Sequence, residues 1–501
     1  MGAAAALAVA ALALGGCAGS AAPSAQKTTL TVASQTPASS MDPMDAGGGQ
    51  MPYFQAVYDT LIHREPDGSL TPWLATEWEY DESRTALTLT LRDDVSFDDG
   101  TPLDAAAVKA NIERFRDGDG AEAAKAASVE SVEVVDPTTA VLHLTAPDPA
   151  LTDSLADAAG LIANPAAFAE DDALATAPDG TGPYTLDVEA TIVGSKWVFQ
   201  RRDGWWHEEL PFETVTYTVL DDENAIVNGL KTGQIDAATI QGDVSQLTSD
   251  PNIEMTTQEI DLKVWGFLDK TGEIVPALGD ERVRQAINYA IDRDTLVEKI
   301  QDGRGTATSQ LWSPDAPGFD EALDDYYAYD PDKARELLDE AGYADGFDLP
   351  MPRLSALVDD ALAEALRTNL ADVGIRVTWE DLDLNTAIQR VFREHAYSGF
   401  ISNGGQSAND WSTYIGVIAP SITNWQGVTD PELDALTQEL RTAAPEDAPD
   451  IARKLNERLV EVAWYAPLFR MAYEQVAAAG VSVTPQVGLA VPAIYNYAPR
   501  K

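Results

Sequence analysis

The chain has 501 residues, with 33 Lys and Arg against 82 Asp and Glu, a formal net charge of -49 and one cysteine. This charge excludes nucleic-acid and anionic-membrane binding from the expected roles, because both partners require a basic face. One cysteine allows no intramolecular disulfide, so two or three buried cores must stabilise the chain. The acids are spread along the whole sequence, which favours a solvated, self-repelling surface over steering of a cationic ligand.

The first 17 residues have the pattern of a secretory signal peptide that ends in a lipidated cysteine. The apolar run from Ala3 to Leu14 suits an h-region and is shorter than the ~20 residues that span a bilayer. The Leu-Gly-Gly-Cys sequence that ends at Cys17 resembles the lipobox of bacterial lipoproteins. We therefore expect a lipoprotein signal peptide over 1–17, a flexible leash over 18–26, and a lipid anchor at Cys17 on the outer face of the cell membrane.

Local patterns beyond the leash predict strands and helices in chain order. Alternating, β-branched segments predict strands over 28–33, 85–91, 129–135, 140–144, 197–200, 214–219, 235–238 and 375–379. Apolar residues at helical spacing predict helices over 51–62, 105–115, 224–232, 283–300, 331–340 and 359–370. Asp104 is placed to cap the second of these helices. The helix-to-strand alternation from about 280 to 400 indicates an α/β lobe.

Spaced motifs carry a family resemblance across most of the chain. They are YDTL at 58–61, PWLATEW at 72–78, FDDGTPLDAAAV at 97–108, GTGPY at 180–184, VRQAINYAIDR at 283–293, KARELLDEAGY at 333–343 and DPELD at 430–434. Together they resemble the family-5 extracellular solute-binding proteins, the dipeptide-, oligopeptide- and nickel-binding lipoproteins of ABC importers. We interpret most of these motifs as structural, and we expect Arg284 and Arg293 to pair with nearby carboxylates.

The resemblance implies an α/β fold, a two-lobed clamp of the type II periplasmic-binding-protein class with an extra α+β domain inserted in the first lobe. The implied segments are 27–53, 179–264 and 471–501 for lobe I, 54–178 for the inserted subdomain, and 265–470 for lobe II. The implied role is to capture a small solute outside the cytoplasm and deliver it to an ABC permease. The membrane would be contacted only through the lipid anchor, and the protein would be a monomer.

The expected ligand of this clamp is a short peptide. The alternatives are an oligosaccharide, an opine-like conjugate or a nickel chelate, or a surface or signalling role without transport on the same fold. An enzyme is not expected, because the sequence has no HExxH, Gly-x-Ser-x-Gly or P-loop motif. Its four histidines are never at metal-ligand spacing. We therefore expect no catalytic residue, no metal ligand and no cofactor.

The resemblance also implies ligand contacts in the segment 403–411. Peptide-binding members have Trp-x-Gly-Asp there, whose carboxylate pairs with the peptide α-ammonium, since an unpaired buried charge is costly. This chain has Asn403 and Gln406 at the Trp and Asp positions, and an amide offers a dipole in place of a charge. Either Asp410 takes over the ammonium, or the protein does not bind a free peptide amino terminus.

The remaining expected contacts come from lobe I and from aromatic residues. Gln50, beside a triple glycine, is the expected contact from lobe I. Aromatic side chains can stack on a sugar, a peptide plane or a cation. The aromatic residues expected at the cleft are Trp265, Trp411, Tyr414 and Trp425.

Overall fold

The computed structural model describes residues 27–169, 173–417, 419 and 423–500. The predicted signal peptide, the lipidated Cys17 and the leash 18–26 lie outside the described residues. Within the described part of the chain, every helix is too short or too polar to cross a bilayer.

Strands and helices alternate along the described chain. The strands are β1 Thr29–Ser34, β2 Ile62–Arg64, β3 Leu70–Pro72, β4 Ala75–Tyr80, β5 Ala86–Leu91, β6 Val129–Asp136, β7 Thr139–Leu144, β8 Tyr184–Leu186, β9 Lys196–Arg201, β10 Thr214–Val219, β11 Ala237–Ile240, β12 Glu254–Phe267, β13 Thr306–Ala307, β14 Phe347–Arg353, β15 Ile375–Asp381, β16 Gly399–Gly405, β17 Tyr465–Ala477, β18 Val481–Val483 and β19 Tyr497–Pro499. The α-helices are α1 Met51–Val57, α2 Ala105–Asp117, α3 Leu151–Leu155, α4 Ala173–Thr176, α5 Glu223–Thr232, α6 Glu281–Ala290, α7 Arg293–Ile300, α8 Pro331–Glu340, α9 Asp360–Asp372, α10 Leu384–Ala387, α11 Asp410–Val417, α12 Pro431–Thr442 and α13 Ala448–Glu461.

The largest sheet runs through both lobes. Its strand order is β16-β12-β17-β11-β1-β10-β9-β8, and the short β13 pairs with β17. β1 is parallel to β10 and β11, whereas β12 and β17 form a long antiparallel ladder. The predicted lobe boundaries at 264/265 and 470/471 fall inside β12 and β17. Both predicted boundaries therefore fall in neighbouring strands of the same sheet.

Each region of the chain has its own hydrophobic core. Lobe I packs α1 against β1, β9 and β10, so the predicted boundary at 53/54 falls inside a buried helix. The inserted region packs α2 on the four-stranded antiparallel sheet β4-β5-β7-β6. Lobe II packs α6, α8 and α9 around β12, β14, β15 and β17. The structure is thus a mixed α/β fold with helices on the sheet faces, as expected.

Two predicted helices have different bounds in the structure. The helix predicted over 51–62 ends at Val57, because Tyr58 is extended and the Leu61 N–H donates to the Gly160 carbonyl at 2.9 Å. The helix predicted over 283–300 is divided into α6 and α7. The division lies at Asp292, whose side chain accepts from the Thr295 N–H at 3.0 Å and caps α7.

The two buried arginines of α6 and α7 do not pair with carboxylates, so that prediction was wrong. Arg293 donates to the Pro467 carbonyl at 2.8 Å and Arg284 donates to the Leu278 carbonyl at 2.9 Å. Their remaining guanidinium bonds among the described residues also go to carbonyl oxygens. Because a guanidinium carries five N–H donors in a rigid fork, one side chain can join several chain segments. Arg293 thus fixes α7 to the start of β17.

Candidate ligand-binding site

A cavity of about 480 Å³ lies where lobe I, the inserted domain and lobe II meet. One wall is the backbone of Gly48 and Gly49 with the segment 486–490, and a second is the inserted domain from Asp153 to Asp157 with Arg64 and Lys125. The third wall is formed by Ile260 and Asp261 of β12 with residues 405–408 and Ser412. We call this cavity the charged chamber.

Most charges of the charged chamber are paired within the protein. Arg64 donates to the Asp153 carboxylate at 2.9 Å, and Lys125 donates to Asp157 at 2.5 Å. Asp261 differs, because it forms no ion pair with any described residue and accepts a single side-chain hydrogen bond, from the Tyr473 hydroxyl. Burial raises the pKa of the Asp261 carboxyl, and the Tyr473 hydrogen bond and the nearby Lys263 charge lower it in part. Asp261 is therefore the carboxylate of the chamber that forms no direct pair with a described cation.

A second cavity, of about 440 Å³, opens beside the first and has mostly apolar walls. We call it the apolar chamber. Its apolar side chains are Leu262, Val264, Leu268, Leu311, Phe392, Phe400 and Tyr465. The two chambers share Gly405, Gln406, Ser407 and Ser412, so they are neighbouring parts of one site.

Gln406 lies at the junction of the two chambers. Its backbone N–H donates to the Ile260 carbonyl at 3.0 Å, and its side-chain amide donates to the Leu311 carbonyl at 3.0 Å. The side chain is 5% exposed, and its Oε1 has no hydrogen-bond partner among the described residues. An unpaired buried acceptor costs ~1–3 kcal/mol, which a ligand donor would recover.

Asn403 also reaches the site, through the apolar chamber. It lies on β16, and its Oδ1 accepts a hydrogen bond from the Lys263 ammonium. Lys263 donates as well to the Leu357 carbonyl at 2.6 Å, and burial lowers the pKa of this lysine to about 8. The amide of Asn403 thus compensates a buried cation as well as lining the cavity.

Asp410 and the aromatic residues near it belong to the core of lobe II. The Asp410 carboxylate accepts from the Trp312 indole N–H at 2.8 Å and from the Gly318 backbone N–H at 2.9 Å. Trp411 is 6% exposed and packs with Tyr414, with ring centroids 4.9 Å apart. None of Asp410, Trp411 and Tyr414 lines either chamber.

The remaining predicted contacts lie outside the two chambers. Gln50 donates to the Pro37 carbonyl at 2.8 Å, whereas its neighbours Gly48 and Gly49 line the charged chamber. Trp265 is fully buried in the lobe II core, so its ring has no surface for a ligand. Trp425 stacks on His395 at 4.2 Å. Of the predicted site residues, the structure brings only Asn403 and Gln406 to the cavities.

Sequence reasoning missed the charged residues of the site. Arg64, Lys125 and Asp153 come from the inserted domain, far in sequence from the segment 403–411. Asp261 alternates with Ile260 and Leu262 in β12, a pattern that indicates a strand and does not mark a ligand. No local pattern identifies these residues, because their proximity arises only from lobe packing.

Two lobes joined by two strands, with a cavity at the junction, define a solute-binding clamp of the type II periplasmic class. The family model for bacterial extracellular solute-binding proteins, family 5, middle region, matches residues 69–426. This match covers more than half of the chain, so the chain belongs to that family.

Relatives of known function and solved structures agree with this assignment. The glutathione-binding protein GsiB of Salmonella paratyphi A is 30% identical over 318 residues, which are 61% of this chain and 60% of that protein. GsiB of Shigella dysenteriae is 26% identical over 453 residues, 85% of this chain and 86% of that protein. The periplasmic binding protein DppA of Helicobacter pylori, solved with the peptide STSA, has a TM-score of 0.78 at 21% identity and covers 95% of this chain and 99% of that chain.

Proposed function

We propose that this protein is an extracytoplasmic solute-binding lipoprotein that captures a small solute between its lobes and delivers it to an ABC importer permease. The observation that carries this proposal is the pair of joined chambers at the lobe junction, lined from all three regions of the chain. Ligand pockets typically combine apolar walls with a few fixed polar groups, as these two chambers do together. We propose no catalytic step and no cofactor for the chain.

Capture follows from walls that belong to different lobes. A ligand that contacts both walls binds the closed arrangement better than the open one and shifts the population toward closure. The inserted domain and lobe II already touch beside the charged chamber, where the Asn409 amide donates to Asp153 at 2.7 Å. Arg441 of α12 donates to the Pro147 carbonyl at 3.1 Å in the same contact region. Closure then presents one joined surface to the permease.

A short peptide is the proposed solute. The GsiB relatives bind glutathione, which is a tripeptide, and the DppA neighbour holds the peptide STSA. A peptide offers amide groups for the unpaired Gln406 oxygen and side chains for the apolar chamber. The two cavities, of about 480 and 440 Å³, have the size of small-molecule sites.

Native mass spectrometry of the mature domain tests the proposed solute. Protein purified from cells grown in peptide-rich medium is denatured, and the released molecules are identified. A mixture of short peptides is the expected result. A sugar, an opine-like conjugate or a metal chelate would replace the peptide assignment, and capture of the matching permease by the loaded protein would test the transport role.

The lipid anchor is a separate part of the proposal, because it depends on Cys17. We expect the full chain, expressed in a bacterial host, to take up labelled palmitate and to sediment with membranes. Cys17→Ser removes the thiol that lipid modification needs, so this variant should carry no label and appear in the soluble extracytoplasmic fraction. Label on the serine variant would contradict the anchor.

Light scattering of the mature domain should give the mass of a monomer.

A further inference from the structure

We propose that Asp261 is the carboxylate that binds the cationic group of the ligand, and that the ligand is an amphipathic primary amine. A short peptide with a free amino terminus and an apolar first side chain belongs to this class. The assignment rests on the proposed function and names the group that the site recognises. It differs from both alternatives that the sequence left open, because the ligand keeps a free amine and Asp410 is not the residue that binds it.

Asp410 is excluded because its carboxylate serves the protein itself. The same oxygen, Oδ1, accepts from both the Trp312 indole and the Gly318 backbone. The side chain is 8% exposed and lines neither chamber. A ligand held in the two chambers therefore does not contact Asp410.

Asp261, in contrast, has an oxygen left for a ligand. Tyr473 donates to its Oδ2, and no described residue donates to its Oδ1. The residue opposite in the β12–β16 register is Gly405, which has no side chain to cover the carboxylate. A Cβ on Gly405 would lie 3.9 Å from Asp261 Oδ1, so the missing side chain leaves room beside this oxygen. Both residues line the charged chamber.

The other charged side chains near Asp261 already have partners within the protein. Arg64 and Lys125 are held by Asp153 and Asp157, as described above. Lys263 donates to Asn403 and to the Leu357 carbonyl, and it lines a different cavity. Lys263 acts on Asp261 only through space and lowers the pKa of its carboxyl, so Oδ1 remains available to a cation that enters with the ligand.

The neighbouring acceptor and the apolar chamber define the rest of the ligand. The Gln406 backbone N–H donates to the Ile260 carbonyl, which places Gln406 beside Asp261 across the strand pair. An ammonium has three donors, and the unpaired Gln406 Oε1 offers a further acceptor from a residue that lines the same chamber. The apolar chamber adjoins this position, because Gly405 and Gln406 line both chambers. A ligand whose amine binds Asp261 therefore carries its apolar group past these residues into the apolar chamber.

Calorimetry with two peptide libraries tests the assignment. The probes are mixed di- and tripeptides with apolar first residues, in free-amino form and in N-acetylated form. The wild-type protein should bind the free-amino library at least about 30-fold more tightly than the acetylated one, the loss typical of removing one partner of a buried charge pair. Asp261→Asn keeps an acceptor for Tyr473 and should lose this preference.

Two further variants keep the test decisive. Glu259→Gln removes a carboxylate two residues earlier on the same strand, whose partner is Thr306 outside both chambers, and should bind like wild type. Gly405→Val puts a side chain beside Asp261 Oδ1 and should weaken free-amino binding even if Asp261→Asn folds poorly.

The outcomes separate this assignment from the proposed function. Equal binding of the free-amino library by wild type and a folded Asp261→Asn would overturn the role of Asp261 and leave peptide capture standing. Equal binding of both libraries by wild type would do the same. Binding of neither library by wild type would overturn the peptide function, and the amine assignment with it.

Discussion

Two partly or fully buried aspartates of this protein have opposite environments. Asp59, at the contact of lobe I with the inserted domain, is fully buried and accepts from the indole N–H groups of Trp206 at 2.7 Å and Trp73 at 2.9 Å. Asp261, at the lobe junction, accepts one side-chain hydrogen bond and faces a cavity. A buried carboxylate whose oxygens both accept hydrogen bonds from the protein stabilises the fold. A carboxylate with one oxygen that accepts no hydrogen bond from the protein can bind a ligand.

The hydrogen bonds of Asp59 also explain how two of the family motifs contribute to the fold. Asp59 belongs to the YDTL motif and Trp73 to the PWLATEW motif, and the structure brings the two motifs into one cluster. Trp205 and Trp206 complete the cluster from a distant segment. Neither Asp59 nor these tryptophans line the two chambers, which agrees with a structural interpretation of the motifs.

The largest expected effect is on stability, from Asp59→Ala. This change leaves the Trp73 and Trp206 indoles without their acceptor, whereas Trp205 keeps the Thr181 carbonyl at 3.0 Å. We expect the free energy of unfolding to fall by about 3–5 kcal/mol, measured by urea titration with tryptophan fluorescence.

The matched control for Asp59→Ala is Glu79→Ala, which removes an exposed carboxylate from the same domain. It should change the free energy of unfolding by less than about 0.5 kcal/mol. A loss for Asp59→Ala as small as that of the control would remove the distinction between the two aspartates.

Asp410→Ala tests the same difference, because the sequence allowed Asp410 either to bind the ligand or to stabilise the fold. The change leaves the Trp312 indole and the Gly318 N–H unpaired. We expect the free energy of unfolding to fall by about 2–3 kcal/mol, with unchanged ligand affinity measured well below the transition. Normal stability with lost binding would instead make Asp410 the ligand carboxylate.

The buried side chain of Lys270 should make the stability of the protein depend on pH. Lys270 is 6% exposed, donates to the Phe267 carbonyl at 2.6 Å, and has its pKa lowered to about 7 by burial. An unfolded lysine has a pKa near ~10.4, so between pH 7 and pH 10 the unfolded chain binds more protons. The charged form is the costly one in the fold, and stability should therefore rise with pH through this window.

The variant that tests this pH dependence is Lys270→Met. Wild-type stability should rise by up to ~1 kcal/mol per pH unit between pH 7 and 9, and the variant should show a smaller slope. The exposed Lys333→Met serves as control and should keep the wild-type slope. Parallel curves for wild type and Lys270→Met, from urea unfolding at each pH, would contradict the buried neutral lysine.

The smallest expected effect concerns closure near Asp261. Asn409→Ser keeps a hydroxyl that can accept from the Ser412 N–H, as the Asn409 amide oxygen does at 3.0 Å, but no longer reaches Asp153. Losing one such hydrogen bond costs ~0.5–1.5 kcal/mol, so ligand affinity should fall by about 2- to 10-fold with little change in stability. Gln438→Ala, an exposed amide of lobe II, should leave affinity unchanged.

The bounds of helices and strands were predictable where residues close in sequence determine them. β10 over 214–219 and α8 over 331–340 have the predicted bounds, because strict alternation and an Asp-Pro start define them within a few residues. The predicted Asp104 cap is confirmed, since its side chain accepts from the Ala107 N–H at 2.9 Å. The bounds differed at 57 and 291, where a contact with the inserted domain and a second cap interrupt helical spacing.

The site was only partly predictable. The resemblance pointed to the segment 403–406, and the structure places Asn403 and Gln406 at the cavities. It could not show that Asp410 is bound to Trp312, because that contact joins residues 98 positions apart.

The sequence by itself thus determined the family, the local elements and the approximate place of the site. Those properties depend on periodicity, capping and motif order, which are all read along the chain. Only the tertiary structure decided which carboxylate remains available. Asp261 is open because β12 pairs with β16 opposite a glycine and because Tyr473 of β17 fills one oxygen, and these neighbours are set by strand pairing between distant segments.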